Sequence, residues 1–240
     1  MSDTTVPLVT ADAVVLDIEG TTGSASHVHD VLFPYARDRF ADWFAAHRGT
    51  ERQAELVRQI GAARGEPDLD ETGAVRALLD WSHADVKAAP LKAVQSLIWA
   101  EGYADGTLTG HVYADVPEAL ERWAKAGIAR YIYSSGARQA QRNWFAHTAH
   151  GDLTGLLDGY FDLDNAGGKR DPASYRALTR AIGVPPGSTL FLSDVPAELD
   201  AATAAGWQAV LVQRPEDAHP EAASSYPTIR TLAGIRLARQ

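Results

Sequence analysis

Residues 14–22 read VVLDIEGTT: three aliphatic residues run directly into two carboxylates, Asp17 and Glu19, with Ile18 between them and Gly-Thr-Thr behind. The apolar part belongs to a short valine-rich run, 12–18, bounded by polar residues. That brevity predicts a buried strand rather than a helix. A strand suited to a core therefore ends in two acidic groups, and the rest of the chain decides what they are for.

Working outward, the texture changes twice. From about residue 28 to 104 the apolar positions recur at helical spacing: Val28, Leu32, Phe33, Phe40, Trp43 and Phe44, then Leu56 and Ile60, then Val75, Leu78 and Leu79, then Leu91, Val94, Leu97 and Ile98. This pattern predicts a bundle of about four helices, broken by RGEPD at 64–68 and by Pro90. After residue 112 strand and helix alternate. Helices are expected over 115–126, 137–149, 172–182 and 195–205, and strands over 128–135, 189–193 and 207–212. Repeated strand–helix units imply a parallel sheet covered by helices on both faces. The fold class expected is α/β, a Rossmann-like core formed by residues 1–24 and 110–240, with an all-helical domain, 25–109, inserted after the first strand.

Composition narrows the function. The chain has 240 residues, 45% of them hydrophobic and 22% charged, and a formal net charge of -9. That balance fits a soluble globular protein and argues against a nucleic-acid binder, which would need a basic face. With no cysteine, a thiolate metal site, a disulfide framework and a catalytic cysteine are all excluded. The N-terminal stretch lacks the features of a signal peptide, and no apolar run approaches the roughly 20 residues of a membrane span. A cytoplasmic location with no membrane partner is expected.

In open parallel sheets ligands bind beyond the carboxyl ends of the strands. Three such ends carry polar groups: Asp17, then Ser134 and Ser135, then Ser193 and Asp194. Asp17 and Asp194 together make the hard, oxygen-rich site that suits magnesium, although capping of the helix that follows competes strongly for Asp194. Glu19, two residues beyond Asp17, projects to the same side if the chain stays extended. Two close carboxylates divide naturally into a nucleophile and an acid/base partner, but a lone D-x-E is more often a solvated or capping pair. SSG at 134–136 offers hydroxyls and amides at a helix start, either an anion site or a plain N-cap. Lys169 follows two glycines that allow close approach to a ligand, with Arg170 as its rival.

The ordered set, strand-end D-x-E-G-T, strand-end serine, lysine before a helix and strand-end S-D, resembles the four motifs of the haloacid dehalogenase (HAD) superfamily. More narrowly, VVLDIEGTTGSASHVHDVLFPYARDRF, YADVPEALERWAKAGIARYIYSSGARQAQRNWF, GYFDLDNAGGKRDPASYRAL and LFLSDVPAELDAATAAGW resemble the enolase-phosphatases, or acireductone synthases, of methionine salvage. The likeness covers nearly the whole chain. DIEGTT and YIYSSG are its most specific elements, since most HAD phosphatases have aspartate where Glu19 stands.

By that resemblance Asp17 is the nucleophile and a magnesium ligand, Asp194 is a second ligand, and Glu19 ligates through its carbonyl while its side chain moves protons. Ser134 and Ser135 bind substrate, and Lys169 neutralises the phosphate. The resemblance implies one Mg2+ per subunit and a small-molecule substrate, 2,3-diketo-5-methylthiopentyl-1-phosphate, which is enolised and then dephosphorylated. It also implies a helical cap that excludes water, in which Trp81, Trp99 and Tyr103 line a pocket or pack a core. A monomer is expected. Gly23 and His27 depart from the family pattern in the loop leading to the insertion. His27 and His29 read as a polar loop pair, because a magnesium site does not call for imidazole. Two other readings stay open: a HAD phosphatase for another small phosphate ester, and a phosphoacceptor signalling domain.

Overall fold

The computed structural model describes residues 8–217 and 225–239. Eight strands occur among them: β1 Val9–Thr10, β2 Ala13–Leu16, β3 Ala129–Tyr133, β4 Gly159–Phe161, β5 Thr189–Ser193, β6 Gln208–Val212, β7 Thr228–Ile229 and β8 Leu237–Ala238. Six of them form one all-parallel sheet in the order β4-β3-β2-β5-β6-β7, and β1 pairs with β8 in a separate two-stranded ribbon. The opening VVLDIEGTT stretch supplies β2, the strand at which successive strands change direction of growth across the sheet. Its neighbours on either side are β3 and β5, and every residue of β2 and β5 is buried. Burial on both faces explains why these strands read as unbroken apolar runs rather than as alternation.

The chain divides into two compact units, residues 1–26 with 109–240, and residues 27–108. In the first, the helix Asp115–Lys125 buries Val116, Ala119, Leu120 and Trp123, one stripe at the three- and four-residue spacing of an amphipathic helix. The helices Arg138–Ala146, Pro172–Ile182 and Pro196–Ala204 supply the other α elements of the crossovers. Val15, Tyr133 and Phe191 from three adjacent strands pack with Tyr175, Leu178, Leu199 and Trp207 in one apolar cluster.

The second unit is all-helical. Its main elements are Phe33–Arg37, Phe40–Ala46, Glu51–Arg64, Glu71–His83 and Ala89–Ala104, closed around Phe40, Phe44, Leu56, Ile60, Leu78, Val94 and Ile98. The break expected at 64–68 is present: Gly65 ends the Glu51–Arg64 helix in the left-handed conformation, where glycine has no Cβ penalty. Pro90 does the opposite of breaking. It sits in the first turn of Ala89–Ala104, where the amide it lacks would have had no helical partner. Trp81 and Trp99 pack against the helical core, Trp99 Nε1 donating to the Leu32 carbonyl at 2.8 Å. Tyr103 is buried, and His29 packs edge-on against Phe33.

Candidate active site

Register places the polar strand ends level with one another. Leu16 pairs with Ile132 of β3 and with Leu192 of β5, so Asp17, Tyr133 and Ser193 stand in one row, with Ser134 and Asp194 one residue further out. Strand pairing continues just far enough to fix Asp17, whose amide donates to the Leu192 carbonyl at 3.0 Å. Beyond it the chain is no longer extended. The amides of Thr21, Thr22 and Gly23 all donate to the Ile18 carbonyl, at 3.1, 3.0 and 2.8 Å, so the two-residue alternation invoked for Glu19 does not apply to it. Glu19 lies in this turn, bridged through its backbone to Gly23.

The Asp17 carboxylate is buried and held on several sides. Its Oδ1 accepts from the Ile18 amide at 2.7 Å and from Lys169 Nζ at 2.7 Å, while Ser193 Oγ lies 3.5 Å from Oδ2. Lys169 is buried and Arg170 exposed, which settles which of the two cations enters the site. Two buried tyrosines fix the loop that carries the lysine: Tyr133 donates to the Gly167 carbonyl and Tyr175 to the Lys169 carbonyl, each at 2.7 Å. Burial works against the ammonium, yet the charges of Asp17 and Glu198 more than offset it and hold its pKa above the ordinary lysine value.

Glu198 is the residue that sequence reasoning missed. It lies in the first turn of Pro196–Ala204, is 8% exposed, accepts from Lys169 Nζ at 2.6 Å and accepts from Ser193 Oγ at 2.9 Å. Burial, and after it the charge of Asp17, push its pKa up despite these donors. The one signal available beforehand was a glutamate four residues after Asp194 in an alanine-rich helix.

Asp194 does not cap that helix. The N-cap is Val195, without a side-chain hydrogen bond, and the Val195 amide is taken by Ser193 Oγ at 3.1 Å. Asp194 Oδ1 is buried with no hydrogen-bond partner among the described residues. Burial and then the Asp17 charge raise its pKa to about 7. Its Oδ2 abuts Gly20, where a Cβ would come within 2.4 Å of it. A buried carboxylate oxygen without a donor is costly unless something else satisfies it. Among the described residues no three His, Cys, Asp or Glu side chains are disposed to hold a metal. The donor set here is smaller, the Asp17 and Asp194 carboxylates. That fits magnesium, which takes one or two carboxylates and completes its shell with water, main-chain and substrate oxygens. Asp17, Asp194 and Glu198 against the single Lys169 would also leave a negative excess, when ionised, that a divalent cation offsets.

Ser134 is buried and Ser135 exposed, both at the end of β3. Neither caps the next helix. Arg138–Ala146 starts after Ala137 without a side-chain cap from its own segment. The donor instead goes to Asp162, whose Oδ2 accepts from the Arg138 amide at 3.0 Å. Gln141 adds a second tie, its Nε2 donating to the carbonyls of Gly136 at 2.6 Å and Phe161 at 2.8 Å. At Gly23 the space admits no side chain: a Cβ there would meet the His111 carbonyl at 2.5 Å and the Trp144 ring at 2.7 Å.

Comparison with known proteins bears on the same elements. A haloacid dehalogenase-like hydrolase family model matches residues 11–206. The enolase-phosphatase E1 of Frankia alni is 48% identical over 227 residues, covering 95% of this chain and 96% of that protein. That of a Picosynechococcus species is 49% identical over 204 residues, 84% and 89% of the two chains. Among solved structures, the UTR4 protein (Unknown transcript 4 protein) of Saccharomyces cerevisiae superposes with a TM-score of 0.78 at 30% identity, over 92% of this chain and 98% of its own. The CbbY protein of Rhodobacter sphaeroides, solved with phosphate, shares the fold alone: TM-score 0.59 at 18% identity, over 93% and 96% of the chains.

Proposed function

This chain belongs to the haloacid dehalogenase-like hydrolases and, within them, to the enolase-phosphatases, and from that membership together with the Asp17, Lys169 and Asp194 cluster we propose how its site works. It is a phosphatase of methionine salvage. Its substrate is 2,3-diketo-5-methylthiopentyl-1-phosphate, which is enolised and then dephosphorylated to the acireductone 1,2-dihydroxy-3-keto-5-methylthiopentene and phosphate.

The observation that supports phosphoryl transfer at this place is the buried Asp17–Lys169 pair, 2.7 Å apart at the end of β2. An Asp17 carboxylate oxygen attacks phosphorus, the ester P–O bond breaks, and an aspartyl phosphate forms. Glu19 gives its proton to the leaving oxygen. It then takes a proton from water as that water attacks phosphorus and the acyl phosphate P–O bond breaks, releasing phosphate and restoring Asp17. Lys169 neutralises charge on the phosphoryl oxygens, which need positioning and electrostatic stabilisation more than covalent assistance. Ser134 and Ser135 bind the substrate. Asp17, Asp194 and the Glu19 carbonyl would hold one magnesium per subunit. When bound, magnesium supplies Lewis-acid charge at carbonyl and phosphoryl oxygens. Glu19, already the proton carrier, is also our candidate base for the enolisation.

We assign the helical unit, residues 27–108, the part of a cap that selects substrate. The protein is read as a cytoplasmic monomer acting on a small molecule, with neither nucleic acid nor membrane as partner. The net charge of -9 argues against a nucleic-acid partner, which would need a basic face, and no helix among the described residues is long and apolar enough to cross a membrane. The test is phosphate release from the diketone phosphate beside a panel of sugar phosphates and phosphoglycolate. An ultraviolet change should precede phosphate, the diketone phosphate should be turned over fastest, and Asp17→Asn should fall to background. Full activity in Asp17→Asn would remove the nucleophile assignment.

A further inference from the structure

Behind the Asp17 turn stands a buried cation that none of the motifs mentions. Arg214, two residues past the end of β6, is 5% exposed, and its Nε donates to the Thr21 carbonyl at 2.8 Å. Thr21 belongs to the turn closed on the Ile18 carbonyl. The adjacent Thr22 donates its hydroxyl to the Asp17 carbonyl at 2.8 Å. From the other side the Tyr113 amide donates to the Thr22 carbonyl at 3.1 Å.

Arg214 is itself fixed. Its Nη1 donates to both oxygens of Asp115, at 2.9 and 2.8 Å, and its guanidinium lies 4.3 Å over the Tyr113 ring. Asp115 in turn accepts from Thr231 Oγ1 at 2.8 Å and from the Leu232 amide at 2.5 Å. Three residues on, Asp217 takes hold of the end of the same loop. It accepts from Ser24 Oγ at 2.8 Å and the Ala25 amide at 2.7 Å, and the Tyr113 hydroxyl donates to it.

We infer that the segment 214–217 is a clamp on the nucleophile loop, with Arg214 as a positioning residue that sets the Asp17 carboxylate through the Thr21 carbonyl. The inference rests on the reading of Asp17 as the attacking group. In-line transfer tolerates little displacement of the nucleophile, and Asp17 sits where the strand has just ended: pairing fixes its amide on one side, and the turn behind it holds its carbonyl through Thr22 on the other. The planar guanidinium fork grips Asp115 with one arm and the carbonyl with another; lysine has no such fork and can keep the charge but not both contacts. Nothing in the clamp touches the substrate-binding serines.

Arg214→Lys tests this, with Thr231→Val as a control that loosens Asp115 without touching the Thr21 carbonyl. Assayed well below each variant's melting temperature, Arg214→Lys should lose about tenfold in kcat with KM within twofold, since a misplaced nucleophile impairs chemistry rather than binding. Amide exchange at Thr21 and Thr22 should quicken in the same variant. Thr231→Val should melt earlier while keeping kcat within twofold. Should Arg214→Lys fail to fold, Asp217→Ala, at the more exposed end of the clamp, is expected to lower kcat severalfold at constant KM. A wild-type kcat in the folded Arg214 variant, or in Asp217→Ala where that is the one that folds, or an equal kcat loss in Thr231→Val, overturns the inference. Failure of the functional reading is separate, because wild-type protein would then not turn over the diketone phosphate at all.

Discussion

At Gly20 the backbone turns with φ +70°, and a Cβ added there would come within 2.4 Å of Asp194 Oδ2. Alanine would pay left-handed strain of about 1 kcal/mol and push aside the carboxylate proposed to hold magnesium. Gly20→Ala should therefore raise the magnesium concentration needed for half-maximal rate; an unchanged magnesium titration would separate Asp194 from the metal. Glu198 presents the opposite case. It was illegible in the sequence because a glutamate in the first turn of a helix is ordinarily a solvated group that favours the helix dipole, and only the fold reveals that Lys169 and Ser193 reach it. A charge-assisted hydrogen bond contributes about 1.5–3 kcal/mol, so Glu198→Gln should lower kcat/KM by roughly 10- to 100-fold by loosening Lys169. Wild-type kinetics in that variant would leave Glu198 a packing residue. Asp17 and Lys169 were legible for a physical reason: charged groups at the end of an apolar strand, or behind paired glycines, are where a fold has a use for them.

Elements whose burial differs between faces or ends were easy to read, and short ones at the sheet margin were not. The helix Asp115–Lys125 was expected over 115–126, and the structure gives it a buried stripe that ends at Trp123. β4 was not, because its three residues, Gly159–Phe161, are only half-buried and begin with a glycine. Missing β4 also hid Asp162, the residue directly after it. Asp162 Oδ1 accepts from the Asn165 amide at 3.1 Å and Oδ2 from the Arg138 amide at 3.0 Å, so one carboxylate ties the turn after β4 to the start of the helix following the serine loop. The expected cap by Ser134 or Ser135 is thus supplied from the turn after β4, which leaves the serines available to a ligand. Asp162→Ala removes a cap substitute, a change that costs about 1 kcal/mol, and frees the backbone over 134–138. Its KM should rise severalfold with a smaller change in kcat. A purely thermal effect, with KM untouched, would show that the loop is held well enough by Gln141.

Across the whole molecule, the order of motifs along the chain specified a parallel α/β sheet, while the strand order around β2 follows from register that no local pattern encodes. Charge balance has the same character. A chain of net charge -9 concentrates Asp17, Asp194 and Glu198 around one lysine, and the cost shows in Asp194, raised to about 7 by burial and then by Asp17. An unfolded aspartate titrates near 3.9. Between those values the folded protein holds a proton that the unfolded chain has released, so unfolding loses protons and stability falls as pH rises from about 4 through 7. The proposed magnesium competes with the proton for the same oxygens and stabilises the folded state by an amount that grows with the logarithm of its concentration above its dissociation constant. Metal-free protein, prepared with a chelator, should show this contribution of Asp194 as a fall in Tm between pH 5 and 8, and millimolar magnesium should raise Tm more at pH 8 than at pH 5. Asp194→Asn titrates no proton there and offers no charge to a cation, so both the pH slope attributable to this site and the magnesium increment should shrink in calorimetry. Magnesium stabilisation that is independent of pH, or that survives in Asp194→Asn, would place the cation elsewhere and leave the buried oxygen of Asp194 without its proposed partner.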